Sequence, residues 1–187
     1  MVIEILGQIL GFVGAFFNIL SYQFKSHRNI VLCQLAGSSF FAVSYLLLGT
    51  YTGGLLNGVG ILRCIVYSNK DKFRANHVGW LVFFIGLYLT MYVLTFTVFG
   101  TPFDLSHALL EILPVLGMTS SHVALRMTEG RHIRMLAFLA SPMWLVYNII
   151  TVSMGAILCE VFVLISVVIG VVRHDIKKNT RQVDIER

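Results

Sequence analysis

Apolar residues gather in seven runs along the chain, at roughly residues 4–23, 30–49, 52–69, 78–99, 105–125, 133–151 and 153–173. A helix crossing a hydrocarbon core needs about 20 residues at about 1.5 Å each, and every run is near that length. In lipid the backbone must satisfy its own hydrogen bonds, which leaves helices and closed barrels. Barrel strands would show as alternating segments of about ten residues, and none is visible. The pattern predicts an all-α polytopic membrane protein with seven transmembrane helices. Gly and Pro punctuate the corners at 49–53 and 100–104. The stretch 69–72 reads as a polar, solvated loop, and the tail 176–187 as charged and fraying.

Charge fixes an expected orientation. Lys25 and Arg28 follow the first run; Lys70, Lys72 and Arg74 follow the third; Arg126, Arg131 and Arg134 surround the connection after the fifth; Arg173 and the tail follow the seventh. The intervening corners carry no Lys or Arg. Every basic residue except Arg63 therefore falls on alternate connections, and the positive-inside rule makes that side cytoplasmic. The expected topology is N-terminus outside and C-terminus cytoplasmic. Glu4 precedes the first run without Lys or Arg, and no A-x-A-like site follows, so that run reads as a membrane helix and not as a signal peptide.

Composition agrees: 57% of residues are hydrophobic and 12% charged, against about 25% charged in a soluble domain. The formal net charge of +5 is spread over short loops without interleaved aromatics, which argues against nucleic acid. Cys33, Cys64 and Cys159 are widely spaced and form no C-x-x-C pair, so neither a disulfide framework nor a metal site is indicated. No cofactor is expected.

Displacing the chain by 102 residues sets Tyr45 on Tyr147, Gly53 on Gly155, and Leu56, Val59, Leu62 and Val66 on Leu158, Val161, Leu164 and Val168. The layout also repeats: a basic corner, a helix with an aromatic near its far end, a short uncharged turn, another helix. The chain divides into a first three-helix unit (1–73), a spacer helix (74–102), a second three-helix unit (103–175) and a tail (176–187). Both units run the same way, and parallel repeats place a solute path at their interface, near mid-membrane.

This 3+1+3 layout resembles the SWEET, PQ-loop and Pnu-type transporters. Within them the chain is most similar to the YgjV family of bacterial inner-membrane proteins. The resemblance rests on Phe17-Asn18-Ile19-Leu20-Ser21-Tyr22-Gln23-Phe24-Lys25-Ser26, and on Tyr45, Gly49 and Asn57-Gly58-Val59-Gly60. It implies a location in the bacterial inner (plasma) membrane. There are departures. Tyr22 stands where a PQ-loop protein has proline, before Gln23. Asn57 matches the first pocket asparagine of a SWEET, but Cys159, flanked by Glu160, occupies the second position. Trp144, Tyr147 and Asn148 keep only the second half of the Pnu-type aromatic motif. Sugar and vitamin substrates are therefore not carried over.

Polar side chains inside hydrocarbon face protein or water, and they nominate the site. Asn57, Trp144, Asn148, Cys159 and Glu160 are the candidate substrate-binding residues, expected around one cavity between the units. Glu160, Glu111 and Arg63 are candidates for proton or ion coupling, because a charge at such depth is costly. Their alternatives are interhelical hydrogen bonds, snorkelling or structural ion pairs. Pro114 and Pro142 within helices, and Gln23, are hinge candidates. No H-E-x-x-H, G-x-S-x-G or phosphate-loop motif occurs, so an enzyme is disfavoured. The expected function is a small-solute transporter or facilitator working by alternating access. The alternative is a non-transporting receptor or assembly factor on the same scaffold. Expected partners are membrane lipid, an unidentified small polar solute and a second copy of the chain.

Overall fold

The computed structural model describes residues 2–21, 24, 27–127 and 130–172. Those residues form seven long helices and one short one: α1 (Val2–Ser21), α2 (His27–Leu47), α3 (Tyr51–Ser68), α4 (Lys70–Phe73), α5 (Val78–Thr97), α6 (Leu105–Arg126), α7 (Gly130–Ile150) and α8 (Met154–Gly170). No strand occurs among them. The seven expected spans are all present as helices. The one addition is α4, a single turn in the stretch read as a polar loop. Tyr22, Gln23 and the tail 176–187 lie outside the described residues.

Four helices are long and apolar enough to cross a membrane by composition: α1, α2, α5 and α7. The last helix, α8, is equally apolar but shorter. The other two, α3 and α6, have the length but carry polar residues, including Asn57 and Arg63 on α3 and Glu111 and His122 on α6. Large apolar side chains such as Ile9, Phe16, Val82, Val93, Phe138 and Ile165 point outward, each about half exposed or more. An apolar exterior of this kind is a lipid-facing surface.

The helices close into a ring. α1 packs between α2 and α8, α2 packs on α3, α7 packs on both α6 and α8, and α5 wedges between α3 and α6. The α1/α8 contact is made by glycine. Gly7, Gly11 and Ala15 recur every fourth residue on one buried face of α1, the small-residue spacing that lets membrane helices approach backbone to backbone. A methyl group at Gly155 of α8 would collide with the backbone of Gly11 and Phe12.

Local sequence sets the ends. Asp104 caps α6 by accepting the His107 N–H at 2.9 Å, and the His77 ring nitrogen caps α5 by accepting the Gly79 N–H at 3.0 Å. Gly49 and Gly100 take positive φ, as the corners require. The corner before α8 has no glycine there: Val152 sits at φ 53, a strained conformation for a β-branched residue. The Gln8 amide brackets it, donating to the Val152 carbonyl at 2.6 Å and accepting the Met154 N–H at 3.0 Å. The starts of α1, α2 and α3 recur as those of α6, α7 and α8: Val2 to Leu105, His27 to Gly130 and Tyr51 to Met154 are each 103 residues.

Candidate functional site

A cavity of about 460 Å³ lies within the ring, in the size range of small-molecule sites. Its wall takes residues from α1, α2, α3, α6, α7 and α8. Four of the five candidate binding residues line it: Asn57, Trp144, Cys159 and Glu160. They stand at one depth because of where they fall on their helices. Asn57 is six residues from the start of α3, Glu160 six from the start of α8, and Trp144 six from the end of α7. These three ends all lie at the uncharged side of the bundle.

Asn57 is buried, and its amide donates to the Gly53 carbonyl of its own helix at 2.9 Å. Its Oδ1 makes no hydrogen bond among the described residues and is left to face the cavity. Trp144 lies against α6, where Gly117 leaves room that any Cβ would fill. Its ring sits 6.2 Å from that of Tyr45 and 6.1 Å from that of Tyr147. Glu160 has the Ser141 hydroxyl within hydrogen-bond reach. Arg63 also lines the cavity, nearer the basic end, with its Nη1 3.3 Å from the Met118 sulfur.

Asn148 does not line the cavity. It lies one turn beyond Trp144, nearly fully buried, and its Oδ1 accepts the Tyr45 hydroxyl at 2.6 Å. The physical reason is position: a residue four further along α7 shares Trp144's face but meets the α2 tyrosine before it reaches open space. Glu111 is also absent from the wall. It sits on α6 within hydrogen-bond reach of the Thr52 and Tyr147 hydroxyls, and its Oε2 has no partner. Pro114 is fully buried, and Pro142 adjoins the wall residue Ser141; α6 and α7 run through them as continuous helices.

Asn148 and Glu111 belong to a closed layer above the cavity. There the Gly53 N–H donates to the Tyr147 hydroxyl at 3.2 Å, and the Thr52 and Thr95 hydroxyls meet at 2.6 Å. Thr50 and Thr151 each return a hydroxyl to a tyrosine carbonyl, that of Tyr45 at 3.0 Å and that of Tyr147 at 2.8 Å. Tyr147, Thr52, Thr95 and Ser44 are fully excluded from solvent. At the other end the wall includes Ile133 and Ser166, both exposed, with Arg134. Among the described residues the cavity is closed at the uncharged end, and its wall extends toward the basic end.

Two wall residues escaped the sequence reading. Tyr45 served there as a repeat marker and as part of the family resemblance, yet it both lines the cavity and bonds into the layer above it. Arg134 was grouped with the loop charges, yet it lies one turn inside α7. Counting residues from the helix start is the signal that would have placed it.

A family model described as bacterial inner membrane protein matches residues 5–178. The chain belongs to the YgjV family. Membership covers the whole described bundle and agrees with its apolar exterior, so this YgjV-family protein is a multi-pass protein of the bacterial inner membrane. No curated protein and no solved structure matches the chain. The family match carries no substrate or mechanism, and these rest on the geometry above.

Proposed function

We propose that this YgjV-family protein carries a small polar solute across the inner membrane by alternating access between two three-helix units, residues 1–73 and 103–175, with 74–102 as the spacer. The observation that supports the reading most is the cavity itself: walled by both units, roofed at one end, and extending toward the basic end. A solute path between parallel repeats needs such a compartment. The recurrence of helix starts at one displacement supports the 3+1+3 layout and a kinship with SWEET, PQ-loop and Pnu-type carriers. The alternating basic connections support an N-terminus outside and a C-terminus in the cytoplasm. The cavity then faces the cytoplasm and the tyrosine layer forms the outer gate. Pro114 and Pro142 are hinge points in this scheme. Glu111 couples to the gate, Glu160 to the solute. The protein acts as a carrier and not as an enzyme, with lipid around it and self-association open to the α5 face.

Uptake into proteoliposomes, read by mass spectrometry on a mixture of amino acids, organic acids and nucleosides, tests the proposal. Asn57→Ala and Glu160→Gln should each lower flux without lowering membrane insertion. Absence of flux for every solute, with a stoichiometric protein partner on purification, would instead mark a receptor or assembly factor.

A further inference from the structure

We infer that the cavity takes a small organic acid with a flat body and a cationic or hydrogen-bond-donating group at its far end, an inference that rests on the cavity being the solute site. The argument begins with Arg63. A guanidinium stays charged at any physiological pH and offers five donors. Here its recorded partners are the Met118 sulfur at 3.3 Å and the Tyr88 hydroxyl, while Nε is buried with no partner. No ion pair to Arg63 occurs among the described residues. A thioether is a weak acceptor, and a buried N–H of a cation left without an acceptor is unfavourable. A carboxylate or phosphate in the cavity supplies what is missing, with the fork geometry arginine favours.

The other end of the compartment has the opposite appetite. Glu160 and the free Oδ1 of Asn57 are acceptors at one level, beside the Trp144 ring. Arg63 lies six residues further along α3 than Asn57, about 9 Å at 1.5 Å per residue. A flat ligand stacked near Trp144 reaches both levels, its acid on Arg63 and its donor on Glu160 and Asn57. A phospholipid entering from the basic end shares the anionic chemistry but lacks the donor at the far end, so the two sources are separable.

The test uses purified protein carrying Trp80→Phe, so that Trp144 is the fluorophore. The probe is 4-(aminomethyl)benzoate, with 4-methylbenzoate, benzylamine and dihexanoyl phosphatidate as comparators; binding is read by Trp144 fluorescence and thermal shift. The expected result is that 4-(aminomethyl)benzoate binds about tenfold or more tightly than either half-molecule, the ratio one charged hydrogen-bonded contact supplies. Arg63→Gln should abolish its advantage over benzylamine, and Glu160→Gln its advantage over 4-methylbenzoate. Arg63→Lys, which keeps the charge, should retain part of the affinity and covers the case in which Arg63→Gln does not fold. Equal binding of benzylamine, no binding of any probe, or preference for phosphatidate over the ring acids overturns the inference. Binding without uptake into proteoliposomes sinks the transport reading and leaves this one standing. Uptake of neutral solutes with no dependence on Arg63 does the reverse.

Discussion

The ring of helices has two seams that join its first half to its last, α1 against α8 and α3 against α6, and they are built on opposite principles. At α1/α8 the side chains are gone. Gly155 meets the backbone of Gly11 and Phe12, and among the described residues the polar link is the Gln8 amide at the corner. At α3/α6 the backbones stand further apart and α5 fills the gap with Phe84, Tyr88 and Thr95, all fully buried. The central polar contacts there join side chains: the two ring nitrogens of His122 pair with the Tyr67 hydroxyl at 3.0 Å and the Tyr88 hydroxyl at 3.3 Å. A glycine seam has one arrangement, because backbone atoms in contact cannot repack. A seam of long side chains around a wedge helix has several of similar energy. In the proposed cycle the first is the pivot, and the second is where the bundle opens.

Glycine substitution should break the contrast most visibly. Gly155→Ala puts a methyl group into the α1 backbone, so the expected loss is several kcal/mol, in the overpacking range of about 1–3 kcal/mol or beyond, seen as a collapse of folded yield in detergent. Gly60→Ala is its control on α3. A Cβ there meets Ser38 Oγ at 3.4 Å and the Met118 methyl at 3.8 Å, ordinary contact, so the melting temperature should hold or rise through helix propensity. Equal damage from both would erase the distinction between the seams.

His122→Phe should have the next largest effect. It removes one hydrogen bond from each of two buried hydroxyls, each bond worth about 0.5–1.5 kcal/mol. Adding Tyr67→Phe should recover part of the loss in a thermal melt, and failure to recover any would mean that ring packing, not hydrogen bonding, holds that seam.

The smallest effect lies at the corner before α6. Asp104 is exposed and accepts the Ser106 hydroxyl at 2.6 Å, the His107 N–H at 2.9 Å and the His107 ring N–H at 2.8 Å. The Ser106 hydroxyl first, then the His107 contacts, hold its carboxyl well below the usual range. A depressed folded pKa means stability that is present above the ordinary carboxylate value of about 3.9 and fades as pH falls below it. Asp104→Asn should therefore lower the melting temperature slightly near neutrality, with the difference shrinking below about pH 4. A difference independent of pH would assign the cap to geometry alone.

Much of this could be read in the residues beforehand. Helix positions were legible because long apolar runs leave few alternatives, and α4 was missed because one turn among Lys70, Asp71 and Lys72 has no apolar period. The cavity level was legible because Asn57, Trp144 and Glu160 are equally far from their helix ends. What separated Asn148 and Glu111 from that level was not. Each sits on a face that points inward, and only the arrival of Tyr45, Thr52 and Tyr147 turns it into roof. The stripe of Gly7, Gly11 and Ala15 was visible and went unread; that Gly11 within it meets Gly155 of α8 is a matter of tertiary pairing, which spacing within one helix does not encode.

That pairing has a consequence for biogenesis. Gln8 and Val152, the polar clasp of the seam, are 144 residues apart, so the α8 side of α1 is covered only after α2 to α7 have been made. At about 5–20 residues per second, the Gly11 surface of α1 waits on the order of ten seconds for Gly155, while Gly7 and Gly14 are covered by α2 as soon as that helix follows. The first three helices pair in order; the α1/α8 seam closes only when α8 arrives.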